Sequence, residues 1–147
     1  MPTLRNDADR KGLLERLQRV TPESKPQWGQ FDAPRMMCHL GDALEEALGR
    51  RKVPRSGPAM LRHFPMKHLA IHVIPMPKGA KAPRELLADA PGDFEANRRR
   101  VLDAMDQVGT RPHGPGPDHF LFGRMTNEQW SCLQWKHIDH HLRQFGK

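Results

Sequence analysis

Gln134-Trp-Lys-His-Ile-Asp-His-His-Leu-Arg-Gln-Phe-Gly146 decides how this chain reads, because it carries two histidines on the apolar side of a helix. At about 100° per residue, His137 and His141 lie about 40° apart around the axis and one turn apart along it. Trp130 and Leu133 fall on the same side and Phe145 a little further round, so the pair faces a core. His140 sits about 60° the other way, at the margin of the apolar stripe, and Asp139 points nearly opposite, towards solvent. Two neutral imidazoles side by side on a buried face need partners for four ring nitrogens, and one divalent cation supplies two of those contacts. The competing reading is two ordinary core histidines, each satisfied by a hydrogen bond. Upstream, Thr126-Asn-Glu-Gln129 is a capping-box pattern that opens this helix, and Gly146 closes it.

Three more helical patterns precede it, and the expected fold class is all-α. The first runs from about Asp7 to Arg19, with Leu13, Leu14 and Leu17 on one face and acids in its first turn. Thr21-Pro22 ends it. Asp32-Ala-Pro34 reads as an N-cap followed by proline in the first turn of a second helix, which continues to about Arg50. Its residues Met36, Met37, Leu40, Ala43, Leu44, Ala47 and Leu48 form a stripe wide enough to meet two neighbours. Residues 51–91 break the periodicity: seven of the 14 prolines of the chain fall from Pro54 to Pro91, which makes this a long connection. Within it, Leu69-Ala-Ile-His-Val-Ile74 suits a short helix or a strand equally. A further helix follows Pro91-Gly92, with Phe94, Val101, Leu102, Met105 and Val108 at helical spacing, Arg98 to Arg100 largely outward, and Gly109 as its stop.

The length of 147 residues suits one domain, residues 1–147, with 1–6 as a flexible tail. Two cysteines are too few for a disulfide framework, and no apolar run approaches the length of a membrane span. With a mean hydropathy of −0.76 and a start that lacks the apolar core of a signal peptide, the expectation is a soluble, cytoplasmic protein. The net charge of +7 is scattered rather than striped, and there is no tyrosine for stacking bases. This favours a solvated basic surface over a nucleic-acid interface.

Of the nine histidines, His39 is the leading third ligand, since it lies at the rim of the second helix's stripe where a neighbouring helix would meet it. His68 and His72 form a rival pair at the same spacing, in a segment with room for barely two turns. His113 and His119 lie among glycines and prolines and read as loop residues, and His63 has no partner in register. Glu46 lies two turns below His39 on nearly the same face, where it would accept a hydrogen bond from a ligand imidazole, act as a base, or simply pair with an arginine at the surface. Cys38 and Cys132 point away from the ligand faces and read as packing residues. His-Ile-Asp-His-His lacks the glutamate of a His-Glu-x-x-His protease helix, which argues against peptidase chemistry.

Met36-Met-Cys-His-Leu40, Ile74-Pro-Met-Pro-Lys-Gly79, Phe122-Gly-Arg-Met-Thr126 and Lys136 to Gly146 together resemble the DinB/YfiT superfamily of metal-binding four-helix bundles, nearest an uncharacterised branch of it. The resemblance spans about residues 10 to 147. It implies an up-down-down-up four-helix bundle with a long connection between its second and third helices, often dimeric. It further implies a divalent metal, zinc or nickel, held by three histidines; by motif position these are His39, His137 and His141, with His140 beside them. In related bundles the open metal positions serve low-molecular-weight thiol transfer, maleylpyruvate isomerisation or hydrolysis. The functional expectation is therefore a metal-dependent enzyme, a hydrolase or thiol S-transferase acting on a small molecule. The alternative is a non-catalytic, stress-associated bundle that binds a partner, nucleic acid or a small apolar ligand.

Overall fold

The computed structural model describes residues 1–147 and contains five α-helices and no strand. They are α1 (Asp7–Leu17), α2 (Ala33–Ala47), α3 (Met66–His72), α4 (Phe94–Gly109) and α5 (Asn127–Gln144), with 3₁₀ turns at Ala59–Arg62 and Arg84–Leu86. Local sequence explains the starts. The side chains of Asn6, Asp32 and Asp93 accept the backbone N–H of Asp9, Arg35 and Ala96, and Thr126 and Gln129 cap α5 reciprocally, each satisfying amides that have no intrahelical partner. The ambiguous segment before Ile74 resolves as a helix: α3 ends at His72, and its last carbonyls, with Ile74 O, are bound by Lys136 Nζ at 2.7 Å from both Ala70 O and Ile74 O.

One apolar cluster unites α1, α2, α4 and α5, among them Leu13, Leu17, Met37, Leu44, Val101, Met105, Leu133 and Leu142. Cross-helix contacts set the directions. Asp42 pairs with Arg100 and Arg50 with Gln107, so α2 and α4 run parallel. Leu4 meets Ser131 and Arg16 meets Asp139, so α1 and α5 run parallel. His39 faces His137 and Ala43 faces Gln134, so α2 and α5 run antiparallel. Because α2 and α4 share a direction, the chain must return the full length of α2, roughly 22 Å at 1.5 Å per residue, and residues 48–93 make that crossing. The proline-dense connection thus carries α3 across α5 and Leu86 against α2.

Four expectations need correction. Asp139 is not solvated but buried, its two oxygens each 2.7 Å from Arg16 and Arg143. A single apolar stripe does not describe α5, which is in contact with every other helix, so its reverse side is also covered, by α1. Arg98 and Arg100 turn inward while only Arg99 stays exposed. Arg98 binds the carbonyls of Leu17 and Val20 at the end of α1 (2.9 and 2.7 Å), and Arg100 binds Asp42 and Cys38 O on α2. Finally, the first residues do not leave the helical core as a tail. Leu4 is fully buried, its carbonyl accepts from Arg10 at 2.6 Å, and a Cβ at Gly109 would lie 2.3 Å from that same oxygen. Gly109 is therefore required for close approach, while α4, expected to stop at this glycine, is capped by Thr110 without a left-handed residue.

Candidate metal centre

The structure brings His39 of α2 together with His137 and His141 of α5, with ligand nitrogens all within 4.8 Å of one another. The three ring centroids are 4.8–4.9 Å apart and nearly perpendicular in each pair. His39 Nε2 lies 2.9 Å from His137 Nε2. Antiparallel packing produces this: one turn of α5 presents two imidazoles to a single position on α2.

Two of the rings are fixed from behind. His39 Nδ1–H donates to Leu86 O at 2.6 Å, across 47 residues of sequence. His141 Nδ1–H donates to Gln144 Oε1 at 2.7 Å, and Gln144 in turn donates from Nε2 to Trp28 O at 2.8 Å. In a neutral imidazole that donates from Nδ1, Nε2 carries the lone pair. Both rings therefore present an Nε2 lone pair to the shared centre. Backbone carbonyls and amides behind ligand imidazoles are the usual means of orienting them.

Burial also keeps the rings neutral. Desolvation lowers the pKa of His141 to about 3, with neighbouring His39 adding to the effect. His137 is lowered well below the ordinary histidine value by burial and then by His141 and His39, and His39 is lowered mainly by burial. Phe31, from the loop before α2, packs on His39 and His141 with centroids 4.9 and 5.8 Å away. A cluster of neutral nitrogen donors with one apolar wall suits a borderline transition metal better than a hard cation, which takes oxygen ligands.

His140 lies beside this group, half-buried, edge-on to His141 at 5.2 Å and to Trp28 at 6.0 Å. Lys78 sits over the Trp28 ring at 4.3 Å, so a residue of the connection reaches the same side of the molecule. Glu46 is elsewhere: its Oε1 accepts from Phe120 N–H at 3.1 Å and it makes no hydrogen bond with a ligand imidazole. The acceptor role behind His39 falls to Leu86 O instead.

Cys38 is buried beside Asp42 and Arg100, its thiol pushed up by burial and by the Asp42 charge, and both cysteines are free. His68 and His72 share one face of α3, 4.8 Å apart, without a third ligand. His113 bonds Glu128 at the surface. His119, expected in a loop, is buried between Phe120, Phe122 and Trp130. The flanking aromatics were the signal for that burial. Leu86 and Gln144 carried none, because an amide or a backbone carbonyl becomes informative only when packing places it behind an imidazole.

No helix is long and apolar enough to cross a membrane. No curated protein and no solved structure matches the chain. A family model matches nearly all of it, from the first residue of α1 to the last of the chain, including all three histidines. The chain belongs to the family described as "Protein of unknown function (DUF1569)", which it matches over residues 7–147.

Proposed function

We propose that this protein is a DinB-like four-helix-bundle metalloenzyme, in which His39, His137 and His141 hold one zinc or nickel ion with coordination positions left open. The observation that carries the reading is the pair of locked tautomers. Leu86 O and Gln144 Oε1 hold the His39 and His141 rings so that both Nε2 lone pairs converge on His137. Ordinary core histidines need only to be satisfied, and His137 has at most one Nε2 proton to offer, so of two lone pairs turned towards the same centre one has no donor among the three rings unless an ion is shared.

Three protein ligands and no fourth within reach is the pattern of catalytic rather than structural zinc. When bound, such an ion supplies Lewis acidity to a water or thiol in its open positions. The chain's own residues define the rest. Phe31 walls one side against water, Leu86 ties the connection to the ligand on α2, and no carboxylate joins the donor set to offset the ion's charge. Small anionic substrates follow, with a thiolate or an ester the best match, and thiol transfer or hydrolysis the reaction. The arrangement of α1, α2, α4 and α5 around one core supports the wider DinB-like kinship. The inward use of Arg98 and Arg100 supports a small-molecule rather than a nucleic-acid partner.

Cobalt(II) titration tests the open site. The wild type is expected to develop visible ligand-field bands, and a small thiol such as 2-mercaptoethanol to add a thiolate-to-metal charge-transfer band. Ligand-field bands without any response to thiol would mean a closed, structural site. Bands that persist unchanged in His137→Ala would place the ion elsewhere.

A further inference from the structure

The end of α2 away from the histidine cluster carries a second site. A cavity of about 400 Å³ opens between this end and the loop before α5, bounded by Glu46, Arg51, Lys52, Pro117, His119 and Phe120 among others. Two of these are deeply buried polar side chains: Glu46 is 3 % exposed and His119 is 7 % exposed. His119 Nδ1 accepts two backbone amides, from Leu121 at 3.0 Å and Phe122 at 3.2 Å. A neutral ring that accepts at Nδ1 carries its proton on Nε2, and this N–H has no acceptor in the protein. Glu46 uses Oε1 for Phe120 N–H and leaves its other oxygen without a donor. Both groups are held by the same short stretch of backbone and present unused hydrogen-bonding capacity to one cavity.

The rim is cationic. Arg51 is occupied by Asp42 and Glu85 O, and Arg55 by Asp118, while Lys52 is exposed and has no partner. A cation on the rim asks for an anion. Deeper in, Glu46 as a carboxylate accepts from a hydroxyl, and as a carboxylic acid donates to one, so a hydroxyl answers it in either form. An amine would suit Glu46 but must pass three cationic side chains, and a second carboxylate would face it unfavourably. The volume lies at the lower end of the range of small-molecule sites.

We propose that this cavity binds a small hydroxylated carboxylate, its carboxylate towards Lys52, its hydroxyl on Glu46 and an oxygen accepting from His119 Nε2–H. None of the three histidines of the metal centre lines the cavity, so the proposal stands whether or not an ion binds there.

3-Hydroxybutyrate and butyrate differ by one hydroxyl and serve as the test, titrated into the full chain and followed by amide NMR. 3-Hydroxybutyrate is expected to shift Lys52, His119 and Phe120 and to bind about tenfold tighter than butyrate, since a site built to bond a hydroxyl discriminates against its absence. Lys52→Glu, at an exposed position that leaves the fold intact, is expected to weaken 3-hydroxybutyrate by about tenfold or more. Glu46→Leu is expected to bring 3-hydroxybutyrate and butyrate to equal affinity, and His137→Ala to leave 3-hydroxybutyrate binding in place. Equal affinity of the two acids for the wild type, or indifference to Lys52→Glu, overturns the proposal. So does loss of binding in His137→Ala with shifts centred on His39, which would put the acid on the metal.

Discussion

Replacing Glu46 with glutamine is expected to stabilise the protein at pH 8 and to leave it nearly unchanged at pH 4. Of the three buried carboxylates, Asp42 is paired with Arg51 and Arg100, Asp139 with Arg16 and Arg143, and Glu46 with no cation. Burial raises its pKa from 4.5 to about 7, against the opposing hydrogen bond from Phe120 N–H. The folded chain therefore keeps a proton on Glu46 that the unfolded chain releases as pH rises through 4.5. Between about pH 4.5 and 7 the folded state binds more protons, so stability falls as pH rises, and above pH 7 the full loss is present. Raising the pKa from 4.5 to about 7 amounts to about 3 kcal/mol. Glutamine is isosteric and its Oε1 still accepts the Phe120 amide, so the substitution removes the ionisation and little else. Urea unfolding of both proteins at pH 4 and pH 8 measures it. A gain at pH 8 that vanishes at pH 4 is the expected result, conspicuous because most substitutions destabilise. An equal effect at both pH values, or destabilisation at pH 8, would refute the reasoning by showing that Glu46 is solvated or has a cationic partner.

Other perturbations probe the histidine centre and the packing around it. Gln144→Leu removes the acceptor behind His141 and should weaken metal binding about 10- to 100-fold in a chelator competition, whereas Gln144→Glu, which keeps an acceptor, should weaken it less. Because His39, His137 and His141 are held neutral by burial, the unfolded chain takes up protons near pH 6.5 that the folded chain refuses. Metal-free protein should therefore lose stability as pH falls below about 6.5, down towards the folded value of about 3 for His141, which acid unfolding followed by circular dichroism would register. Arg16→Met leaves buried Asp139 with only the exposed Arg143, and should cost about 1–3 kcal/mol in denaturant unfolding.

What was legible in the sequence was what depends on neighbours along the chain. The spacing of His137 and His141 fixes their common face whatever packs against it, and the same wheel separates them from His140, which the structure places beside the group rather than within it. The caps at Asp32 and Thr126 are local too and fall where their patterns indicate. What was not legible depends on partners far away in sequence. Asp139 reads as solvated until α1 supplies Arg16, 123 residues distant. Arg100 reads as outward until α2 supplies Asp42. Glu46 sits on the same side of α2 as His39, yet the loop at Phe120 claims it first. The run from Leu69 to Ile74 was undecidable because a short apolar segment satisfies both periodicities, and the Lys136 contacts that secure the end of α3 come from α5.

The central claim, that three histidines from two antiparallel helices hold one ion, is tested most directly by elemental analysis of protein purified without added metal. The wild type should carry close to one zinc or nickel per chain, and the His137→Ala/His141→Ala double variant, folded by circular dichroism, should carry essentially none. Equal metal content in the two proteins would contradict the account.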